Sequence, residues 1–179
     1  MERVRIVKRQ LKSRGFSLIE LLIVVAIILI IAAIAIPNLM RARMAANDSS
    51  AAAGERTIVT GEVGYFSAYP TVGYGTLAQL GGALPCVPAI ANACLIDNNL
   101  ASNGPGGNGK SGYNYAATPG GAAATGWNFY TTAAPVANTT GTRVYCAVDD
   151  GVVRTNNPPA FGAAPASYAA CSAYTVLNN

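Results

Sequence analysis

The chain has 179 residues, 51% of them hydrophobic and 11% charged, with a formal net charge of +4 and no histidine. Its basic balance is local: residues 1–15 hold six basic residues and one acid, whereas residues 16–179 hold six basic residues and seven acids. This distribution argues against a nucleic-acid-binding basic face on the body of the chain, and the lack of histidine removes the usual Ser–His or Cys–His activation of a nucleophile.

The chain opens on a basic leader with Arg3, Arg5, Lys8, Arg9, Lys12 and Arg14, followed by Gly15-Phe16-Ser17-Leu18-Ile19-Glu20 and an unbroken apolar run over residues 21–36 that stops at Pro37. As a helix, residues 16–36 would be about 31 Å long, roughly one hydrocarbon core. The basic leader places the N-terminus in the cytoplasm and the residues beyond Pro37 outside. Glu20 is costly in a membrane and marks a functional position there by default. A secretory signal cut after Ala33-Ile34-Ala35 would need a shorter apolar run without an acid at its start. A plain anchor with Glu20 snorkelling to the headgroups accounts for the hydropathy but not for the residues before it.

The string Gly15-Phe16-Ser17-Leu18-Ile19-Glu20-Leu21-Leu22-Ile23-Val24-Val25, with Ala35-Ile36-Pro37 further on, resembles the class III signal of type IV pilins and type II secretion pseudopilins. The resemblance covers about the first 45 residues. It implies that prepilin peptidase cuts between Gly15 and Phe16, that the same enzyme N-methylates Phe16, and that the helix is kept. It also implies that Glu20 pairs with the Phe16 amine of a neighbouring subunit in a helical homo-oligomer. Many pilins have a glycine in the middle of the apolar run, where Leu29 stands here.

Beyond Pro37, helix formers resume at residues 39–46, and Val59, Val63 and Phe66 share one helical face. One helix over about residues 16–66 is expected, kinked at Pro37 by the lost bond to Ala33, with Val59, Val63 and Phe66 on the head. Gly54, Gly61 and Gly64 each weaken that helix by roughly 1 kcal/mol against alanine. Residues 70–110, rich in Gly, Pro and Asn, read as a surface loop with a short helical turn near residues 77–80. Lys110-Ser111 after the glycine-rich 103–109 stretch lacks the strand and helix that a phosphate-cradling loop requires. From Tyr113 the period becomes two: Tyr113 and Tyr115, Trp127 and Phe129, Val144 and Cys146 alternate with other residues, as in half-buried strands. Asp149-Asp150-Gly151 between residues 143–148 and 152–155 is a hairpin signal. Asn157-Pro158-Pro159 ends that sheet, with a last strand at residues 173–177.

The four cysteines, Cys86, Cys94, Cys146 and Cys171, all follow the apolar run and suit two disulfides in an oxidising compartment. Three pairings are open, and local closure favours Cys86–Cys94 with Cys146–Cys171. Their spacing does not suggest a metal site. Asp149 and Asp150 could hold calcium, but turn chemistry already accounts for them. Asn138-Thr139-Thr140 fits a glycosylation pattern short enough to arise by chance.

One helix followed by strands is an α+β pattern, with the helix packed on an antiparallel sheet, and the resemblance implies a type IV pilin-like head. The expected parts are a cleaved leader (1–15), a transmembrane and assembly helix (16–37) and an exported head (38–179). The expected function is a filament subunit, neither enzyme nor cofactor binder, whose assembly residues are Phe16, Glu20 and Pro37. Its expected partners are other copies, prepilin peptidase with its N-methyltransferase activity, inner-membrane assembly machinery and, before assembly, lipid. It would move from the inner membrane to a surface pilus or a periplasmic pseudopilus. The alternatives are a secretion pseudopilin and a membrane-anchored adhesin or glycan-binding module.

Overall fold

Residues 18–36 are apolar except for Glu20, and a helix is the conformation in which such a segment satisfies its own backbone. In the computed structural model they open helix α1, Leu18–Ala68, which runs unbroken through Pro37. The structure describes residues 15–104, 109–122, 126–156 and 163–177. Residues 1–14, residues 105–108 within the glycine-rich 103–109 stretch and Asn157-Pro158-Pro159 therefore lie outside the described residues. The chain divides between Leu39 and Met40 into two units.

In the first unit, the large apolar side chains of residues 18–36 are exposed along the helix. It is the one described helix long and apolar enough to cross a membrane.

The second unit is α+β and pilin-like. Among the described residues, three short helices follow α1: α2 (Leu77–Leu80), α3 (Asn98–Ala101) and α4 (Tyr168–Ser172). Five antiparallel strands form a meander in sequence order: β1 (Tyr113–Ala122), β2 (Gly126–Pro135), β3 (Val144–Val148), β4 (Val153–Asn156) and β5 (Thr175–Val176). Tyr115, Ala133 and Tyr145 lie opposite one another across β1, β2 and β3, which puts them on one face of the sheet. That face and α1 share the main core, with Ala51, Ile58, Tyr65, Phe129 and Ala147. The other face holds a smaller cluster of Cys146, Val148 and Cys171 under Tyr130, Tyr168 and Tyr174.

Three details differ from the pattern in the sequence. Of the Val59–Val63–Phe66 stripe, Val59 is buried in the core and Phe66 is half-buried against Tyr74, but Val63 is 57% exposed, so the stripe lies at the edge of the buried face. The buried face instead runs through Ala51, Glu55, Ile58, Glu62 and Tyr65, at successive spacings of four and three. Second, β3 is buried at every position rather than at alternate ones, because α1 covers one face and the Cys171 segment the other. Third, the 70–104 stretch is more than a surface loop. Leu77, Leu80, Ile96 and Leu100 enter the main core, and Leu80 accepts backbone hydrogen bonds from Leu95 (2.8 Å) and Ile96 (3.2 Å).

Two helix glycines explain how these layers close on α1. A Cβ at Gly54 would lie 2.7 Å from the Tyr115 ring, and one at Gly61 would lie 2.9 Å from Ile96. Both glycines trade some helix propensity for close approach of a neighbouring layer.

Candidate assembly segment and head anchors

In the first unit, Gly15 and Phe16 precede α1 and are exposed. Glu20 sits in the first helical turn, where its Oε2 accepts the Ser17 backbone N–H at 3.4 Å. A carboxylate there meets the positive end of the helix dipole, a favourable contact of about 0.3–1 kcal/mol. Gly15, Phe16 and Glu20 are thus neighbours at one helix end, whereas Pro37 lies far along the same helix. The arrangement is an exposed Gly15-Phe16 pair followed by an acid at the start of an apolar helix.

Within the head, covalent and polar contacts fix the layers. Cys86 is bonded to Cys94 and Cys146 to Cys171, closing segments of 8 and 25 residues. Asp48 on α1 is a hub: it accepts the Tyr113 hydroxyl, the Thr142 backbone N–H at 3.1 Å and the Thr142 hydroxyl at 2.8 Å. Tyr113 also donates toward the Arg143 carbonyl at 2.9 Å. Burial and the neighbouring Asp48 carboxylate both push the Tyr113 hydroxyl far up, so it remains a neutral donor.

The hairpin turn between β3 and β4 uses its own acids. Gly151, at φ +76°, donates to the Val148 carbonyl at 3.0 Å. Asp150 accepts the Val152 N–H at 2.9 Å and pairs with Arg154, which holds its carboxyl below the usual range. Asp149 accepts the Tyr168 hydroxyl at 2.5 Å and so ties the turn to α4. Asp150 is thus engaged within the hairpin and Asp149 by α4. Among the described residues no group of three or more His, Cys, Asp or Glu side chains converges as a metal site would require.

Two residues the sequence reading passed over are the most unusual in the head. Glu55 and Glu62 are fully buried on the inner face of α1. Glu55 accepts the Thr131 hydroxyl through Oε2, and Glu62 accepts the Gly75 N–H at 2.9 Å. Among the described residues, the second oxygen of each carboxyl has no hydrogen-bond partner. Burial pushes Glu55 up to about 8 and Glu62 up to about 7, against the weaker opposing pull of those hydrogen bonds. The signal for them was present in the spacing of residues 51, 55, 58, 62 and 65, but glutamate is among the residues least often fully buried.

Residues 10–36 match the model of the prokaryotic N-terminal methylation motif. Over 37 residues, 21% of this chain, the sequence is 65% identical to the type IV wide pilus major component PilA4 of Thermus thermophilus. Over 56 residues, 31% of this chain, it is 46% identical to the type IV major pilin protein PilA of Myxococcus xanthus. The matches span 28% and 26% of those relatives, about a quarter of their length. No solved structure matches the chain significantly. The N-terminal segment thus carries a methylation motif and is similar to the corresponding segment of two type IV pilins.

Proposed function

We propose that the chain is a structural subunit of a type IV pilus-like filament, cut between Gly15 and Phe16 and N-methylated on Phe16. The observation that carries this reading is the methylation motif over residues 10–36, whose acid stands in the first turn of an exposed apolar helix. Before assembly the helix lies in the inner membrane with the leader in the cytoplasm, in line with the basic residues ahead of Gly15. In the filament, residues 18–36 pack against the same segment of other copies. Leaving lipid for a helix bundle exchanges one apolar environment for another. Head-to-tail contacts that do not close on themselves give an open helical filament.

Glu20 supplies register in this scheme. In the uncut chain it accepts the Ser17 N–H; after the cut, the new Phe16 amine of a neighbour is its partner. Opposite charges about 4 Å apart attract by about 4 kcal/mol at an effective dielectric of about 20. Desolvation removes much of that gross term, so pairing contributes specificity while helix packing supplies most of the stability.

Two measurements test the reading. N-terminal sequencing of the exported protein should begin at Phe16, with a methylated amine; a start after Ala35 would establish a secretory signal instead. Mass identification of the main subunit in sheared surface fibres should find this chain. Its confinement to the periplasm in a secretion-competent cell would favour the pseudopilin, and a head that binds its target without any fibre would favour the adhesin.

A further inference from the structure

The seam between α1 and the rest of the head contains two carboxyls and very little to hold their charge. Facing Glu55 are the Thr131 hydroxyl from β2, the Ala147 carbonyl of β3 behind it, and Tyr115 from β1, whose own ionisation Glu55 opposes. Facing Glu62 are the Gly75 N–H and Tyr74 from the segment after α1, and Tyr65 on α1 itself. Asp149 of the β3–β4 turn and Tyr69 act on the same tyrosines. Among the described residues, these surroundings are tyrosines, neutral dipoles and one further acid. Arg56, next to Glu55 in sequence, is exposed.

The rest of the chain leaves this seam unusually conspicuous. There is no histidine, and all four cysteines are in disulfides. The side chains that ordinarily titrate between pH 5 and 8 are therefore absent or blocked.

We infer that Glu55 and Glu62 make this seam a proton-operated lock: with both carboxyls neutral α1 closes on β2 and on the Tyr74–Gly75 segment, and with both ionised it loosens from them. The inference concerns the head alone and stands whether or not the chain forms filaments. Glu55 carries the larger part, because the partner of its one bonded oxygen is a hydroxyl. The Gly75 N–H partly supports an ionised Glu62. The direction follows from linkage. A carboxyl raised in the folded state contributes stability that is fully present below its unfolded value and is lost as pH rises through its folded value. From an ordinary 4.5, with Glu55 at about 8 and Glu62 at about 7, the loss runs from about pH 4.5 to about pH 8.

The test is thermal unfolding of the full chain in detergent without reductant, followed by tyrosine near-ultraviolet circular dichroism from pH 5 to pH 9. The midpoint of the wild type should fall by about 5 °C or more across that range, given how midpoints respond to stability in domains of this size. Glu55→Gln should remove most of the fall and raise the midpoint at pH 9, and the double variant with Glu62→Gln should be nearly flat. A flat wild type, or an unchanged slope in the double variant, overturns the lock. Should the glutamine variants fail to fold, carboxyl carbon resonances of the wild type decide. Glu55 and Glu62 titrating above pH 6 uphold the proposal, and midpoints near 4.5 overturn it.

Discussion

One helix carries three glutamates with opposite surroundings. Glu20, in the apolar first unit, is exposed at a helix end, where it accepts the Ser17 N–H from 3.4 Å away. Glu55 and Glu62, in the head, are shut against a sheet and a loop by their own chain. The same side chain on the same helix thus faces outward in one unit and inward in the other. The difference teaches where each unit finds its contacts: the head completes its core within one chain, while residues 18–36 leave an apolar surface uncovered by the rest of the described chain, which the proposed function assigns to lipid and other copies.

The comparison breaks most sharply at Glu20. Glu20→Ala should leave cleavage at Gly15, insertion and the head intact, yet reduce filament incorporation at least about tenfold, the scale of a lost pairing of about 1.4 kcal/mol or more. Glu20→Gln should fail to restore it fully; normal fibre yield from both variants would reduce Glu20 to a tolerated charge at the membrane edge. Head substitutions should show the reverse pattern, with stability lost first. Replacing Cys146 and Cys171 by serine should cost about 2–4 kcal/mol in denaturant unfolding, and about 1 kcal/mol more than the same change at Cys86 and Cys94, whose closed segment is shorter. Equal losses would mean that chain closure is not the dominant contribution.

Smaller effects sharpen the picture. Tyr113→Phe leaves Asp48 and the Arg143 carbonyl without their shared donor and should cost about 1–3 kcal/mol, measured by the same unfolding. No change would show that the Thr142 contacts alone satisfy Asp48. At the bottom of the scale, Lys110→Met removes an exposed ion pair with Asp97 at 2.9 Å. Its effect should stay within about 1 kcal/mol and vanish in high salt. A larger loss would make that pair part of the support for α3, because Asp97 also accepts the Leu100 N–H at 3.0 Å.

Much of the fold was legible because it follows from local rules. An apolar run of membrane length, the switch to period two after Tyr113 and the Asp149-Asp150-Gly151 turn each need only neighbouring residues to be read. The misreadings fall where a second layer arrives. Val63 looked like core by spacing and is exposed, while Ala51 and Glu55, weak or negative signals for burial, lie under the sheet. Residues 70–104 looked like loop because four separated apolar residues, Leu77, Leu80, Ile96 and Leu100, have no common period; they meet only once α2 and the 93–96 segment hydrogen-bond together. Gly54 and Gly61 read as helix weaknesses, whereas the helix needs them to admit Tyr115 and Ile96.

The sequence by itself determined the order of parts: a basic N-terminal stretch, an acid at the head of an apolar helix, a helix continuing past Pro37, strands, and cysteines confined to the second unit. These features arise from hydropathy, charge and short-range backbone preference, which act within a few residues. Tertiary structure alone decided which face of α1 is buried, that β3 is covered on both sides, and that Glu55 and Glu62 are held away from water. Those outcomes depend on what packs across a distance, and a carboxyl's protonation is set by the polarity of that packing rather than by the residues beside it in sequence.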